Sequence, residues 1–399
     1  MHFSTLSLSL LLPALSAAAP ARGNPCPKAA AYFLDNNPAG SSIVALAIGS
    51  DGKVSDPART STGGKGLFGL TAGTNGAAAM AGGADTLFSQ DSVVVSGEYL
   101  LTVNAGSNTV SLFTIPKDDI LHPKLACSPV STLGEFPQSI AYSPLHKTAC
   151  VLNGGTVAGI TCYSVSSSGL KTLGGLRPIS LNETTPPVGP AGTVSDIIFN
   201  PSQTALIATV KGNGMDAGFI YAYPVSWDGS IATKPIVSRP SELAVDFSIS
   251  FLGSDSRAIV TDPSYGASIV EVNSQYEFSV QKKIPVAGEK AICWSVYSRG
   301  YDTVFIFDGG VTGITMIDPW SGAIKGTIPG AKETIANLDA QTWKQYMYVL
   351  NGAAYVSVVD NSALARGETP SEVQNFDLSG LGSRQGFQGM AVYPSGEGW

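Results

Sequence analysis

The side chains able to do chemistry are few, and they stand just ahead of short apolar runs. Ser195-Asp196, Asp246-Phe247, Lys290 with Cys293-Trp294, Phe136-Pro137-Gln138, Glu333-Thr334 and the stretch Arg384 to Gln388 each open such a run. Ser195, Asp196, Asp246 and Lys290 are the candidate catalytic groups, able to move a proton, polarise a carbonyl or help a hydroxyl leave. Gln138, Phe247, Trp294, Arg384, Phe387 and Gln388 are the candidate substrate-binding groups. Together they make a mostly apolar, aromatic collar with isolated hydrogen-bonding groups, the composition of a site for a small organic molecule. Each also has a plainer reading. Phe247 and Trp294 could fill a core, Asp196 and Asp246 could cap turns, Lys290 and Glu333 could be solvated charges, and Gln138 and Gln388 could make one repeated structural hydrogen bond.

Other chemistries find no residues to carry them. No His, Cys and carboxylate group has zinc spacing, so no metal and no cofactor is expected. No nucleophile elbow or phosphate loop is written. Asp51-Gly52 and Asp228-Gly229 read as hairpin turns, and Asp118-Asp119 as a turn. The 23 Lys and Arg are scattered among 30 acidic residues, so no basic stripe exists to follow a nucleic acid.

Collar groups need elements to hold them in a ring, and the sequence writes those elements repeatedly. An apolar run ending in Asn or Asp recurs at Asn104, Asn153, near Lys211–Asn213, and at Asp262, Asp308 and Asn351. The interval is about 43 to 58 residues, the period of a blade-type repeat. After each comes an alternating run: NTVSLFTI, AGITCYSV, GFIYAYPV, ASIVEVNS, TGITMIDP and AYVSVVDN. Before most lies another, such as QSIAYSP, SDIIFNP, FSISFLG and CWSVYS. Period-2 patterning with Gly, Pro and Asn punctuation denotes strands and tight turns, and 45 Gly with 25 Pro suit that design. A seventh unit is split: QGMAVYP at the C-terminus supplies its first strand, and AYFLDNN and SSIVALAIG near the N-terminus its second and third. The expected fold is all-β, a single seven-bladed β-propeller over residues 25–399, closed by pairing the terminal strands in one blade. Residues 61–84 read as a long loop into the first complete blade.

Residues 1–19 read as a secretory signal peptide, with an apolar core from Leu6 to Leu15 and small residues at Ala17 to Ala19, although no Lys or Arg precedes the core. That run is too short to span a bilayer. The mature chain is expected to be secreted, without a membrane span, and a monomer or weak oligomer. Five cysteines suit an oxidising compartment. Cys150 ends one expected strand and Cys162 lies in the next strand of the same hairpin, so a cross-strand disulfide could form; Cys26 and Cys127 could tie the N-terminal arm to a neighbouring unit, leaving Cys293 free. Unpaired core cysteines are the alternative. Asn182-Glu183-Thr184 is a glycosylation sequon in a Pro-rich loop.

The stretches DTLFSQDSVVV (85–95) and LLTVNAGSNTVSLFTI (100–115), with the phase of the repeat, resemble the lactonase-type propellers, the group of 6-phosphogluconolactonases and carboxymuconate cyclases. The chain looks most like the exported fungal branch of that group. The resemblance implies a propeller but not its chemistry. The group's His-Ala-His falls here on Thr193-Val194-Ser195, its Arg and following His on Phe247 and Ser248, and its Asn-Glu on Asp262-Pro263. The chain's three histidines, His2, His122 and His146, lie elsewhere. What remains suits a neutral or weakly acidic, mostly apolar ligand and a cofactor-free cyclase or isomerase. In signal, composition and missing histidines the chain is similar to the fungal hetero-Diels–Alderases of tropolone–sesquiterpenoid formation, which dehydrate an alcohol to a quinone methide and guide its cycloaddition. A non-catalytic secreted propeller (a cell-surface antigen or ligand-binding module) and a rewired lactonase or carboxymuconate cycloisomerase are the alternatives.

Overall fold

A computed structural model describes residues 27–73, 77–213 and 215–395. The signal segment and Cys26 lie outside these, so the expected cleavage site and the Cys26–Cys127 bridge do too. The described chain is all-β. It contains seven antiparallel sheets of four or five strands, plus one small three-stranded sheet. Six of the seven are built from consecutive strands and are numbered in chain order, their innermost strands being Val93–Ser96, Pro137–Ser143, Val194–Phe199, Ile249–Ser254, Ile292–Ser298 and Asn337–Trp343. The seventh joins Phe387–Tyr393 to Ala29–Asp35, with Ala31 opposite Val392 and Asp35 opposite Phe387. This is the terminal closure that the split repeat predicts, in a β-propeller.

Alternation along each strand explains the packing. In Ala29–Asp35, Ala30, Tyr32 and Leu34 enter the core shared with the first and second sheets, while Ala31 and Phe33 enter the core shared with the sixth. Leu206 and Ala208 face the second sheet, whereas Ala205 and Ile207 face the fourth. Each central strand is thus buried on both sides, because neighbouring sheets stack face to face. The outer strands Val54–Ser61 and Phe278–Pro285 keep mostly exposed residues.

The recurrent Asn or Asp ends the second strand of its sheet and ties down the segment that enters the first. Asp262 Oδ2 accepts from the amides of Ala244 and Val245, and Asp308 accepts from those of Lys290 and Ala291. Asn153 Nδ2 donates to the Thr132 carbonyl. In the third sheet the register puts Val210 at this position, opposite Val194. Lys211 therefore aligns one residue later, with Gly154, Gly309 and Gly352, which corrects the repeat as read near Lys211–Asn213.

The stretch 61–84 departs from a plain loop. Leu70–Thr71 pairs with Met80–Ala81 and runs parallel to Val188–Gly189. Cys150 and Cys162 are directly opposed and form a disulfide, with Cα atoms 4.0 Å apart. Cys293 is buried and forms no disulfide among the described residues. Asn182 is exposed in its loop.

Candidate functional site

The mouth where the inner strands begin, expected to be an open collar, is filled. Residues 84–91 lie across it and bond to five of the seven sheets. Gln138 Nε2 donates to the Leu87 carbonyl, and Ser89 Oγ donates to the Gln138 carbonyl at 2.8 Å. Lys211 Nζ donates to the carbonyls of Phe88 and Val194 at 2.6 and 2.7 Å. Trp294 Nε1 donates to the Ser89 carbonyl, and the Ser295 amide to Gln90 Oε1, both at 3.0 Å. The Asp91 amide donates to Asp339 Oδ2 at 3.2 Å. Gln388 Nε2 donates to the Ala84 carbonyl at 2.8 Å. Phe88 and Asp91 take φ of +56° and +57°. Such backbone strain persists only where surrounding contacts impose it.

The candidate residues fare differently under this plug. Phe247 and Trp294 pack edge to face, ring centres 5.1 Å apart, in the core between the fifth and sixth sheets. Lys211 Nζ lies 4.5 Å from the centre of the Phe247 ring. Gln138 and Gln388 hold the plug, and Arg384 donates to the carbonyls of Ala84, Asn351 and Phe387. Phe387 faces away from the bore and packs on Phe33, ring centres 5.1 Å apart. Lys290 is exposed and only its backbone amide is engaged, by Asp308; its expected place in the collar is corrected accordingly. Ser195 and Asp246 are fully buried, and neither the Ser195 hydroxyl nor the Asp246 carboxylate has a hydrogen-bond partner. Gly218 makes room for Asp246: a Cβ there would sit 1.5 Å from Asp246 Oδ1. Asp196 Oδ2 accepts from the Ile249 amide at 3.0 Å, while its Oδ1 is unpartnered.

The opposite mouth is open. Three adjoining cavities of about 390, 300 and 330 Å³ occupy it, lined by the far halves of the inner strands. Asp91, the last residue of the plug, lines all three and lies where they meet. Their walls carry Tyr142, Phe199, Phe251, Tyr297 and Trp343, with Gln90, Asn200, Gln203, Ser250, Ser295 and Gln341 among the polar groups.

Burial sets the electrostatics along the bore. It pushes the Asp91 carboxyl up to about 7. Burial, then the neighbouring Asp91, raises both Asp196 and Asp339 well above the usual carboxylate range. Asp246 is likewise raised by burial. On the plug side, burial pulls Lys211 down to about 7, against the opposing pull of Asp85 and its other neighbours, and lifts Asp85 to about 6. Arg384 is lowered to about 9 by burial. A carboxylic acid poised near neutrality beside an open cavity can give and retake a proton.

Sequence reading named Asp196 but missed Asp91, Asp339 and Lys211. Lys211 had a local signal, since it replaces a small residue of the repeat. Asp91 lies within DTLFSQDSVVV, a stretch whose pattern marks the fold and carries no local sign of chemistry.

Three solved structures resemble the chain over nearly its whole length. They are the periplasmic gluconolactonase of Pseudomonas aeruginosa (12% identity, TM-score 0.62, covering 92% of this chain and 100% of the other), a Lactobacillus plantarum protein (12%, 0.64, 92% and 99%), and a Bacteroides fragilis protein named for 6-phosphogluconolactonase activity (10%, 0.61, 94% and 99%). Among its structural neighbours, then, are lactonase-type propellers, and at these identities the likeness is one of fold. No protein-family model matches the chain, and no curated protein matches it in sequence.

Proposed function

We propose that this protein is a secreted, cofactor-independent cyclase or isomerase that acts on a small apolar organic molecule in the open funnel, with Asp91 as proton donor and acceptor. The observation that carries this reading is the convergence of three aromatic-walled cavities on that one carboxyl. Asp91, protonated, gives its proton to a leaving hydroxyl; the C–O bond breaks and water departs. The resulting carboxylate takes a proton from an acidic hydroxyl of the cationic product and leaves a neutral quinone methide. The walls then hold the reacting ends together for ring closure, where proximity can remove up to ~7–11 kcal/mol of barrier. This is the hetero-Diels–Alder reading. Secretion is supported by the residue pattern of 1–19 and by the Cys150–Cys162 disulfide.

Two observations favour other readings. The lactonase-type neighbours favour hydrolysis of a neutral lactone, with Asp91 activating water. The filled first mouth favours a non-catalytic ligand-binding module. Incubation with a tropolone–humulene alcohol and a quinone-methide trap tests the cyclase reading: dehydration accelerates with the wild type and falls at least ~100-fold in Asp91→Asn. Rate and stereochemistry equal to the buffer control reject catalysis of this reaction. Glucono-δ-lactone, assayed in parallel, reports the lactonase reading.

A further inference from the structure

We infer that the open funnel is built to hold positive charge on an apolar frame, carried by the substrate or developed on it during reaction. The inference rests on the funnel being the substrate site, and it adds the charge type of the ligand. Asp91 is the one charged residue among those lining the three cavities; they include no Lys, Arg or His. Behind Asp91 stand two further carboxyls, from two different inner strands. Asp339 receives the Asp91 amide at 3.2 Å, and Asp196 keeps one oxygen without a partner. The walls add the rings of Tyr142, Phe199, Phe251 and Tyr297, and aromatic faces attract cations; the Trp343 ring already holds the Lys344 ammonium, 4.2 Å from its centre. Such a funnel repels anions. A phosphorylated or carboxylated lactone would meet no cationic partner among the described lining residues.

The charges around the cluster are unbalanced. Asp91 is faced by Asp339 and Asp196. The cation that acts on Asp196 is Lys211, on the plug side, and its ammonium is already engaged by two backbone carbonyls; Lys344 sits over the Trp343 ring at the rim. Tyr297, on the rim, donates to Asp302 at 2.9 Å. Asp91 is raised to about 7 because burial strips water from it and no cation replaces that water. A bound organic cation supplies the missing charge and favours the ionised carboxyl, so binding near pH 6.5 releases a proton.

Isothermal titration calorimetry with benzyltrimethylammonium, its neutral isostere neopentylbenzene and phenylacetate tests this. The ammonium is expected to bind the wild type at least tenfold more tightly than neopentylbenzene, and phenylacetate not at all. In two buffers of different ionisation enthalpy, ammonium binding should release a proton at pH 6.5 and none at pH 9, a readout that needs no variant. Asp91→Asn should weaken the ammonium at least tenfold and leave neopentylbenzene unchanged. Binding of the neutral alcohol of the dehydration assay alongside the ammonium marks charge developed in reaction; its failure to bind marks a substrate that is itself cationic. Equal affinity for ammonium and neopentylbenzene overturns the charge inference and leaves the funnel as the substrate site. No binding by any ligand overturns both.

Discussion

The backbone amide of Asp91 donates to the carboxylate of Asp339, 248 residues away, at 3.2 Å. This bond joins the end of the plug to the inner strand Asn337–Trp343 and places the Asp91 side chain at the floor of the open funnel. Burial there raises Asp91 to about 7 and Asp196 and Asp339 well above the usual carboxylate range, while the bond itself acts to lower Asp339.

That arrangement sets a pH dependence of stability. Asp91 is raised from 3.8 to about 7 and Asp85 to about 6, so between about pH 4 and 7 the folded chain binds more protons than the unfolded one. Stability falls as pH rises across that window, by at most about 1.4 kcal/mol per pH unit for each group. Lys211, lowered from 10.5 to about 7, acts oppositely: between about pH 7 and 10.5 the unfolded chain binds more protons, and its contribution rises with pH. Urea unfolding of wild type and Asp91→Asn from pH 4 to 9 should show a shallower fall in the variant. Parallel profiles would remove Asp91 from the titrating set.

Lys211→Met leaves the Phe88 and Val194 carbonyls without their donor. A loss of about 1–3 kcal/mol is expected, with faster amide hydrogen exchange confined to residues 84–91. Uniform exchange across the sheets would argue against a local role for the lysine.

Replacing Cys150 and Cys162 together by Ala opens a bridge with a sequence separation of 12. Chain-entropy reasoning gives a loss of about 2–3 kcal/mol. It should appear as a lowered denaturation midpoint that matches the wild type under reducing conditions.

Phe387→Ala removes a fully buried ring from the core between the sixth and seventh sheets and should cost about 3–5 kcal/mol. Lys290→Ala, at an exposed side chain, should change stability by less than about 0.5 kcal/mol. Both should keep ammonium affinity in the funnel. A loss of affinity in Lys290→Ala would return that lysine to the site.

The strands were legible because their signal is local. QSIAYSP and AYFLDNN carry their alternation within a few residues, and the terminal pairing follows from matching such phrases. The Cys150–Cys162 bridge was legible for the same reason, since hairpin register sets it. Phe387 was misplaced because its phrase marks the strand but not the face: the strand begins at Phe387 itself, and its ring turns to Phe33. Lys290 was misplaced because only its amide joins the turn clamped by Asp308.

By itself the sequence determined an all-β chain of repeated antiparallel units whose two ends complete one sheet, since alternation and turn residues act over short distances. Which mouth stays open was decided only in three dimensions. Residues 84–91 carry no pattern that says they cross the bore; their place comes from donors such as Gln138, Lys211 and Trp294, which stand far apart in the chain. The neutral range of Asp91 also arises there, because desolvation and neighbouring carboxyls depend on what folding brings close, not on what precedes or follows a residue.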